Sequence, residues 1–276
     1  MRLNFRNISE KGLHPKIYFP FLLVVLMAIL PLVPQNPFYE DIIVSSFFYG
    51  AMALAWNLVG GFAGQISLGH TAFFGIGAYT STLLYLHYAL SPWLGMLAGA
   101  VLSMLVAVGI GIPCFRLKSH FFALATIAIG EVLRYLASYW RGLTQGGVGL
   151  LILFKPGIEN FMFKSKLPYA YIALALMLVM LFICYGIRKS RFGFHLISLR
   201  EDQDAAESLG VKTSRSKLIA LAISAFFTSI TGTFYAQYIL FIDPSTLFSL
   251  GFSVELALFS IIGGLGTVTG PILGAF

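Results

Sequence analysis

The feature that most constrains the fold of this chain is a run without Asp, Glu, Lys or Arg that lies between Asp41 and Arg116. A helix needs about 20 apolar residues to cross the hydrocarbon core of a bilayer, so this run alone can hold roughly three crossings. Within lipid, only helices and closed barrels satisfy every backbone polar group. The apolar segments are continuous rather than alternating, and they therefore predict an all-α polytopic membrane protein.

The rest of the chain has the same character, since hydrophobic residues make up 58% and charged residues 11% of its 276 residues. We expect a single transmembrane domain over residues 1–276 with about eight helices and both termini on one side. The predicted spans lie at 17–34, 42–60, 66–86, 93–113, 119–138, 168–187, 217–241 and 252–274.

The 18 Lys and Arg residues are unevenly distributed among the connections. Seven lie in the loop at 188–217, and four precede the first span. Connections without Lys or Arg lie at 35–41, 87–92 and 242–251. The positive-inside rule therefore places the N-terminus, Arg116 and the 188–217 loop in the cytoplasm of a cell whose inner (plasma) membrane holds the protein. The basic residues of the 139–167 connection, which should lie outside, are the exception.

The net charge of +7 is explained by this topology. No basic face with interleaved aromatic residues is present, so nucleic-acid binding is not expected. The partner that this composition predicts is the lipid bilayer.

A glycine-rich stretch, "NLVGGFAGQISLGHTAFFGIGAY", occupies residues 57–79. Glycines let helices approach closely, and a broken backbone at membrane depth is tolerated only inside protein or beside a water-filled cavity. The stretch therefore predicts either the lining of a translocation pathway or tight packing. Its candidate pathway residues are Gly60, Gly61, Gly64, Gln65, Ser67 and His70. A lone histidine without a second ligand at metal spacing predicts a hydrogen-bonded interior residue, and no metal site is expected.

Near the C-terminus, "ELALFSIIGGLGTVTGP" at 255–271 echoes "ALAWNLVGGFAGQISLG" at 53–69. The pair Gly263 and Gly264 matches the earlier Gly-Gly pair. Glycine-interrupted segments in corresponding positions of two halves mark the central pathway of many transporters, so both glycines are further pathway candidates. A match this short is also compatible with chance.

Ionisable residues within the predicted spans are few. Glu131 and Arg134 are three apart and fall on one helical face, where they can neutralise each other. Such a pair is either a structural ion pair near the outer interface or part of an outer gate. Glu255, at the start of the last predicted span, is expected to be interfacial.

The most hydrophilic stretch is "REDQDAAESLGVKTSRSKL" at 200–218. A helix is predicted over "EDQDAAESLG", because acidic residues suit its first turn and Gly210 suits a left-handed position after its last. Small or apolar side chains that fall on one side are Ala205, Ala206 and Leu209. The segment is either a docking knob for another protein or a solvated connector.

The stretch "AAESLG" at 205–210 is similar to the EAA-type motif of ABC importer permeases, with paired alanines followed by a glycine. Together with "GGFAGQISLGHTAFFGIGAY", "LTQGGVGL" and "GGLGTVTGPILGAF", it makes residues 40–276 resemble the LivM family of branched-chain amino acid permeases. The resemblance implies an ABC importer permease fold with a coupling segment that contacts an ATPase. Its candidate residues are Glu201, Asp204, Ala205, Ala206, Glu207, Leu209 and Gly210.

The resemblance also implies partners: a paralogous permease subunit, two cytoplasmic ATPase subunits and an extracytoplasmic substrate-binding protein. The chain has no GK[ST] sequence and hence no P-loop, so ATP would be used by the partner subunits. We expect a transport subunit without a cofactor or catalytic site of its own. Wider kin of the family include permeases for urea and short amides, which leaves another small solute open.

Two other functional classes are alternatives to a transport subunit driven by ATPase partners. An ion-coupled secondary transporter needs acidic residues in mid-span, and a membrane enzyme needs a constellation of catalytic side chains. Neither pattern is evident in the sequence. Members of the family usually continue past "GTVTGPILGA", so the end at Phe276 leaves open a fragment or a truncated gene.

Overall fold

The computed structural model of the protein describes residues 24–33, 36–115, 117 and 119–276, without the side chains of 119 and 120. Much of the first predicted span, 17–34, and the turn at Arg116 therefore lie outside the described residues. Within 24–33, residues 24–29 are helical and lead into a 3-10 turn at Leu30–Leu32.

Helices dominate the remainder of the described chain. In order they are α1 Pro37–Asn57, α2 His70–Tyr88, α3 Pro92–Cys114, α4 Ser119–Tyr139, α5 Arg141–Thr144, α6 Leu167–Lys189, α7 Arg191–Glu201, α8 Gln203–Ser208, α9 Thr213–Ile239, α10 Pro244–Leu247, α11 Leu250–Gly264 and α12 Gly270–Ala275. A π-helical turn, Leu58–Phe62, continues α1, and a 3-10 turn lies at Gly146–Val148. Two short strands, β1 Leu150–Leu151 and β2 Phe241–Ile242, pair antiparallel.

Local sequence signals set several of the helix starts. Asn36 caps α1 by accepting a hydrogen bond from the Phe38 amide at 3.0 Å, and Asp243 caps α10 through the Thr246 amide at 3.0 Å. Proline occupies the first turn of α1, α3, α6, α10 and α12, where its missing N–H has no helical partner to lose.

Six helical segments among the described residues are long and apolar enough to cross a membrane. They are Pro37–Phe62, Pro92–Cys114, Phe121–Tyr139, Leu167–Lys189, Thr213–Ile239 and Pro244–Gly264. The prediction of an all-α polytopic membrane protein is confirmed, whereas the count of eight is not. α2 lies outside this set because it is more polar, and it packs between α3 and α9, where Ser81 and Thr82 are buried within protein.

The last predicted span, 252–274, is wrong as a single crossing. α11 ends at Gly264 with φ +124°, and Gly266 at φ +72° helps to turn the chain back. α12 then packs on α11 so closely that a Cβ added at Gly274 would lie 1.9 Å from the Phe259 carbonyl oxygen. The glycine positions that made one long apolar run are the ones that allow this helical hairpin.

The connections predicted to lie outside gather at one end of the helices, which we call the loop end. It comprises residues 36–41, 89–91, 140–166 and 240–249. Ser91 Oγ donates to the Glu159 carbonyl oxygen at 2.5 Å, and Lys166 Nζ donates to Asp41 Oδ2 at 2.5 Å. One basic residue of the exceptional 139–167 connection is thus paired with an acid of a neighbouring connection.

The opposite end carries the 188–217 connection, and we call it the basic end. It also contains the break at 63–69 and the turn at 265–269, each of which contacts an arginine of α6 or α7. The alternation of ends along the chain agrees with the predicted topology, while the side of the membrane that each end faces stays a prediction.

That orientation can be measured by cysteine labelling. We expect single cysteines at exposed Ser208 and exposed Glu159 to react with impermeant reagents from opposite faces, because these positions lie at the basic end and the loop end. The background lacks Cys114 and Cys184, which are both buried. Labelling of both positions from one face would contradict the arrangement of ends.

Candidate functional site

The glycine-rich stretch forms a break between α1 and α2. α1 winds into its π turn, residues 63–69 run without regular structure, and α2 begins at His70. A Cβ added at Gly61 would lie 2.7 Å from the Gly266 amide nitrogen, and one at Gly69 would lie 2.2 Å from the Thr126 carbonyl oxygen. The glycines of this stretch are therefore closely packed against other parts of the chain.

The predicted pathway residues of this stretch are mostly buried. Gly60, Gly61, Gln65, Ser67 and His70 are buried, and Gly64 is half-buried. Their assignment to a translocation pathway stays a prediction, since what the structure describes is close packing.

Asn57 joins the two glycine-rich segments. It is fully buried at the end of α1, its Nδ2 donates to the Thr267 carbonyl oxygen at 2.8 Å, and its Oδ1 accepts from the Gly266 amide at 3.0 Å. One amide side chain thus satisfies two backbone groups of the α11–α12 turn, the Gly266 N–H and the Thr267 carbonyl. The sequence echo has a counterpart here, because each Gly-Gly pair is followed by a break and then by a new helix.

Gly263 and Gly264 have different surroundings within that turn. A Cβ at Gly263 would lie 1.9 Å from the Gly270 carbonyl oxygen, so Gly263 permits the contact between α11 and α12. Gly264 is exposed and permits the change of direction through its positive φ. Their role in a pathway is likewise still a prediction.

His70 is a hydrogen-bonded interior residue, as predicted. Its Nδ1 and Nε2 lie 2.9 and 2.8 Å from the hydroxyls of Ser67 and Ser224. The Ser224 hydroxyl donates to the Ala55 carbonyl oxygen at 2.6 Å, so it accepts from Nε2–H and leaves Nδ1 to accept from Ser67. Among the described residues, no group of three His, Cys, Asp or Glu side chains could hold a metal ion.

The predicted coupling helix is broken at its start. α7 continues to Glu201, and Asp202 adopts an extended conformation and caps α8 by accepting from the Ala205 amide at 3.0 Å. The prediction of one helix from Glu201 is therefore wrong, because an aspartate is among the best N-cap residues and here it starts a new helix.

The predicted end of that helix is confirmed. Gly210 has φ +84°, its amide donates to the Glu207 carbonyl oxygen at 2.9 Å, and the Val211 amide donates to the Ala206 carbonyl oxygen at 3.0 Å. This pair of bonds is the Schellman arrangement, in which a glycine takes the left-handed position.

The prediction placed Ala205, Ala206 and Leu209 on one face of this helix, but the structure places them on two. Ala206 is only 2% exposed and packs within the chain, whereas Leu209 is 85% exposed and Ala205 is exposed beside it. Ala206 therefore cannot contact a docked partner. Other coupling candidates that are exposed are Glu201, Asp204, Glu207 and Gly210.

Polar contacts hold α8 against the start of α9. Thr213 donates to the Glu207 carboxylate, Gln203 Nε2 donates to Glu207 Oε1 at 3.1 Å, and Lys217 Nζ donates to Gln203 Oε1 at 2.6 Å. The hydrogen bonds from Thr213 and then Gln203 lower the pKa of Glu207 below its usual value. The segment is thus a fixed feature of the surface in which Leu209 projects outward.

Arg200, the penultimate residue of α7, links this segment to both glycine breaks. Its Nη1 donates to the Gly61 carbonyl oxygen at 3.2 Å, and its Cγ lies 2.7 Å from where a Gly64 Cβ would stand. The same guanidinium lies against Gly266, whose carbonyl oxygen accepts from Arg188 at 3.0 Å. Sequence reasoning missed Arg200, because 139 residues separate it from Gly61 and no local pattern joins the two.

The predicted pair on α4 is confirmed. Arg134 Nε and Nη2 donate to Glu131 Oε2 at 2.9 and 2.7 Å. Both side chains are about one-third exposed, so a pair of this kind contributes little stability, about 0–1 kcal/mol. Its role in an outer gate is still a prediction.

Sequence reasoning also missed a cleft of about 370 Å³ between α1, α2, α9 and α11. It is lined by Tyr49, Phe74, Tyr235, Ser245, Thr246, Ser249, Gly251, Phe252 and Glu255. No sequence signal could have found it, since its residues come from segments far apart in the chain.

Glu255 lies deeper than predicted. It is placed on α11 between Phe252 and Phe259, whose rings lie 6.0 and 5.4 Å from that of Tyr49. Tyr49 stands near the middle of the 26-residue segment Pro37–Phe62. The interfacial assignment of Glu255 is therefore wrong, and the reason is that the preceding connection folds inward, with Phe248 stacked on Tyr79 at 6.1 Å.

Comparison with known proteins identifies relatives of the whole described region. The family model for the branched-chain amino acid transport system permease component matches residues 38–276. The LivM permease of the high-affinity branched-chain amino acid transport system of Salmonella typhimurium is 29% identical over 91% of this chain and 65% of its own length. The LivM of Escherichia coli K12 is 28% identical over 98% of this chain and 72% of its own length.

The guanosine ABC transporter permease NupQ of Bacillus subtilis is 29% identical over 82% of this chain and 77% of its own length. No solved structure matches the chain. The chain spans about two-thirds of the length of the LivM proteins. Because the family model covers nearly all of the described residues, the chain belongs to the family of branched-chain amino acid transport system permease components.

Proposed function

We propose that the chain is a permease subunit of an ATP-binding cassette importer for branched-chain amino acids. In this proposal it forms the translocation pathway with a paralogous permease, and two cytoplasmic ATPase subunits drive it. An extracytoplasmic binding protein delivers the substrate. The chain itself uses no cofactor and hydrolyses no ATP, since ATP is bound by its partners.

One observation carries the coupling part of the proposal. Leu209 and Ala205 are exposed at the basic end, on a short helix fixed to α9, and the adjacent Arg200 contacts both glycine breaks. A partner seated on this helix could act on the two places where the membrane helices are interrupted. Helix-in-groove contacts of this kind depend on a few projecting side chains.

The substrate rests on the relatives, which differ among themselves. The LivM matches extend over nearly the full chain and favour a branched-chain amino acid, whereas NupQ makes guanosine the second candidate. Urea or a short amide is a further alternative. Reconstitution with the partner subunits should give ATP-dependent leucine uptake, and uptake of guanosine instead would replace the substrate assignment.

An ion-coupled secondary transporter is another alternative. Such a transporter needs an acidic residue in mid-span, and the position of Glu255 meets that requirement. Liposomes that contain this chain alone distinguish the two mechanisms. We expect no leucine uptake when a proton or sodium gradient is applied without the ATPase subunits. Gradient-driven uptake by the chain alone would overturn the proposal.

The docking surface is tested by Leu209→Arg. This change replaces an exposed apolar side chain by a charge that would be buried unpaired in the interface, at a cost of roughly 2–5 kcal/mol. We expect co-purification of the ATPase subunits to fall at least tenfold while the amount of permease is unchanged, because Leu209 is 85% exposed.

Two variants complete this test. Ser214→Arg adds the same charge at an exposed position nearby and should leave co-purification unchanged. Ala206→Arg should instead lower the amount of folded permease, since Ala206 is buried. Wild-type co-purification by Leu209→Arg would mean that α8 is only a connector.

A further inference from the structure

We propose that the cleft between α1, α2, α9 and α11 is a binding site for the ammonium group of a small molecule with an apolar body, with Glu255 as its counter-ion. The amino acid that we name as ligand rests on the proposed function. The cleft, at about 370 Å³, has the size of sites that take small ligands.

Aromatic rings from four helices form the wall of the site. Tyr49, Phe74, Tyr235 and Phe252 come from α1, α2, α9 and α11, respectively. The Phe74 ring lies 5.4 Å from that of Tyr235 and 5.2 Å from that of Phe252. Ring faces carry negative charge density and attract cations, and the same rings offer apolar surface to an aliphatic side chain.

The charge of the cleft selects a cation. An adjoining cleft of about 160 Å³ shares Tyr235 and Thr246 with it and adds the carboxylate of Asp243. Two carboxylates therefore line this region, and none of the described residues that line either cleft is Lys, Arg or His.

Glu255 has no ion-pair partner among the described residues, although it stands opposite the middle of α1. An ionisable side chain at that depth is costly unless it faces a pathway or is paired. A ligand ammonium supplies the missing positive charge. Sites near the membrane midplane, on interrupted helices, are the arrangement that transporters use for small charged substrates.

The start of α11 supplies a place for the carboxylate of an amino acid. Ser249 precedes this 15-residue helix without capping it, and Gly251 and Phe252 line the cleft with the first turn. Amide groups of a first helical turn lack intrahelical acceptors and favour anions. Glu255 and this turn would thus hold the two charges of one zwitterion, with its side chain against the rings.

The test measures ligand protection of a cysteine in the cleft. Gly251→Cys is placed in the intact transporter without Cys114 and Cys184, at an exposed position where an added Cβ meets only Ser249 Oγ at 3.4 Å. We expect leucine and isopentylamine, which lacks the carboxylate, to slow labelling by a small maleimide at least tenfold. The ammonium-free analogue 4-methylpentanoate should not slow it.

Glu255→Gln should abolish protection by leucine and by isopentylamine, where protection is the ratio of the labelling rates without and with ligand for the same variant. Glu159→Gln, at an exposed carboxylate of the loop end, is the matched control and should keep full protection. Protection that survives Glu255→Gln, equal protection by 4-methylpentanoate, or no protection by any of the three compounds would overturn the site.

The experiments distinguish a failure of the proposed site from a failure of the proposed function. Protection by isopentylamine in a transporter that takes up no leucine would support the site and contradict the branched-chain amino acid assignment. ATP-dependent leucine uptake without any protection would support the proposed function and contradict the site.

Discussion

Gly232→Leu is expected to leave little folded permease in the membrane. A Cβ at Gly232 on α9 would lie 2.1 Å from the Phe74 carbonyl oxygen of α2, and one at Gly77 of α2 would lie 2.1 Å from the Ser229 carbonyl oxygen of α9. The two backbones touch at both points, so a leucine can be accommodated only if the helices separate. Overpacking a core costs about 1–3 kcal/mol, and a contact with backbone places this variant at the upper end or beyond.

Gly109→Leu and Gly186→Leu are the matched controls. They lie on the membrane helices α3 and α6, and an added Cβ at either position meets nothing within 4 Å. The yield of monodisperse protein in detergent and its thermal transition should be near those of the unmodified chain for both controls, and strongly reduced for Gly232→Leu. Equal yields for all three would mean that α2 and α9 are not closely packed in the membrane.

The same contacts explain why helices were predictable and their partners were not. Pro37 and Pro92 start helices by a local rule, and Gly210 ends one by a local rule, so sequence alone places those boundaries. Which backbone lies against Gly232 depends on a partner more than 150 residues away. Small residues indicate that another segment packs closely at that position, but they do not identify the segment.

The errors have the same origin in particular residues. Asp202 is a residue type that favours the N-cap position, but the prediction relied on helical spacing and continued the helix through it. Ala206 was therefore predicted on the wrong face. Gly264 and Gly266 looked like packing glycines within one span until their positive φ values turned the chain back. Glu255 was assigned to the interface by its distance from a connection, and the inward fold of that connection cannot be read from local sequence.

The structure also changes the interpretation of the residues predicted to line a pathway. The sequence directed attention to the glycine-rich stretch, whose residues are closely packed and mostly buried. An open cleft with a partly polar lining lies instead beside Glu255. Glycines therefore mark where the helices are interrupted, while aromatic and acidic side chains from separate helices provide the surface that a solute could contact.

Arg200→Ala is expected to abolish most transport without releasing the ATPase subunits. The variant loses the hydrogen bond from Nη1 to the Gly61 carbonyl oxygen, the side chain that lies on Gly64 and Gly266, and the ion pair of Nη2 with Glu201 at 2.8 Å. Leu209 and Ala205 are untouched, so docking should persist. A hydrogen bond from a charged group contributes about 1.5–3 kcal/mol, and about 1.4 kcal/mol corresponds to tenfold. Uptake should therefore fall about ten- to a hundredfold.

The measurement pairs uptake with co-purification of the ATPase subunits for a series at two arginines of α7. Arg191→Ala removes an exposed arginine that makes no hydrogen bond within the described residues, and it should transport normally. Arg200→Lys should be intermediate, because one ammonium can still donate to the Gly61 carbonyl oxygen but cannot also cover Gly266 as the planar guanidinium does. Normal uptake by Arg200→Ala would mean that α8 acts on the membrane helices by another route. Loss of the ATPase subunits from Arg200→Ala would instead place Arg200 in the docking surface. Only retained docking with lost uptake supports the link from Leu209 through Arg200 to the two helix breaks.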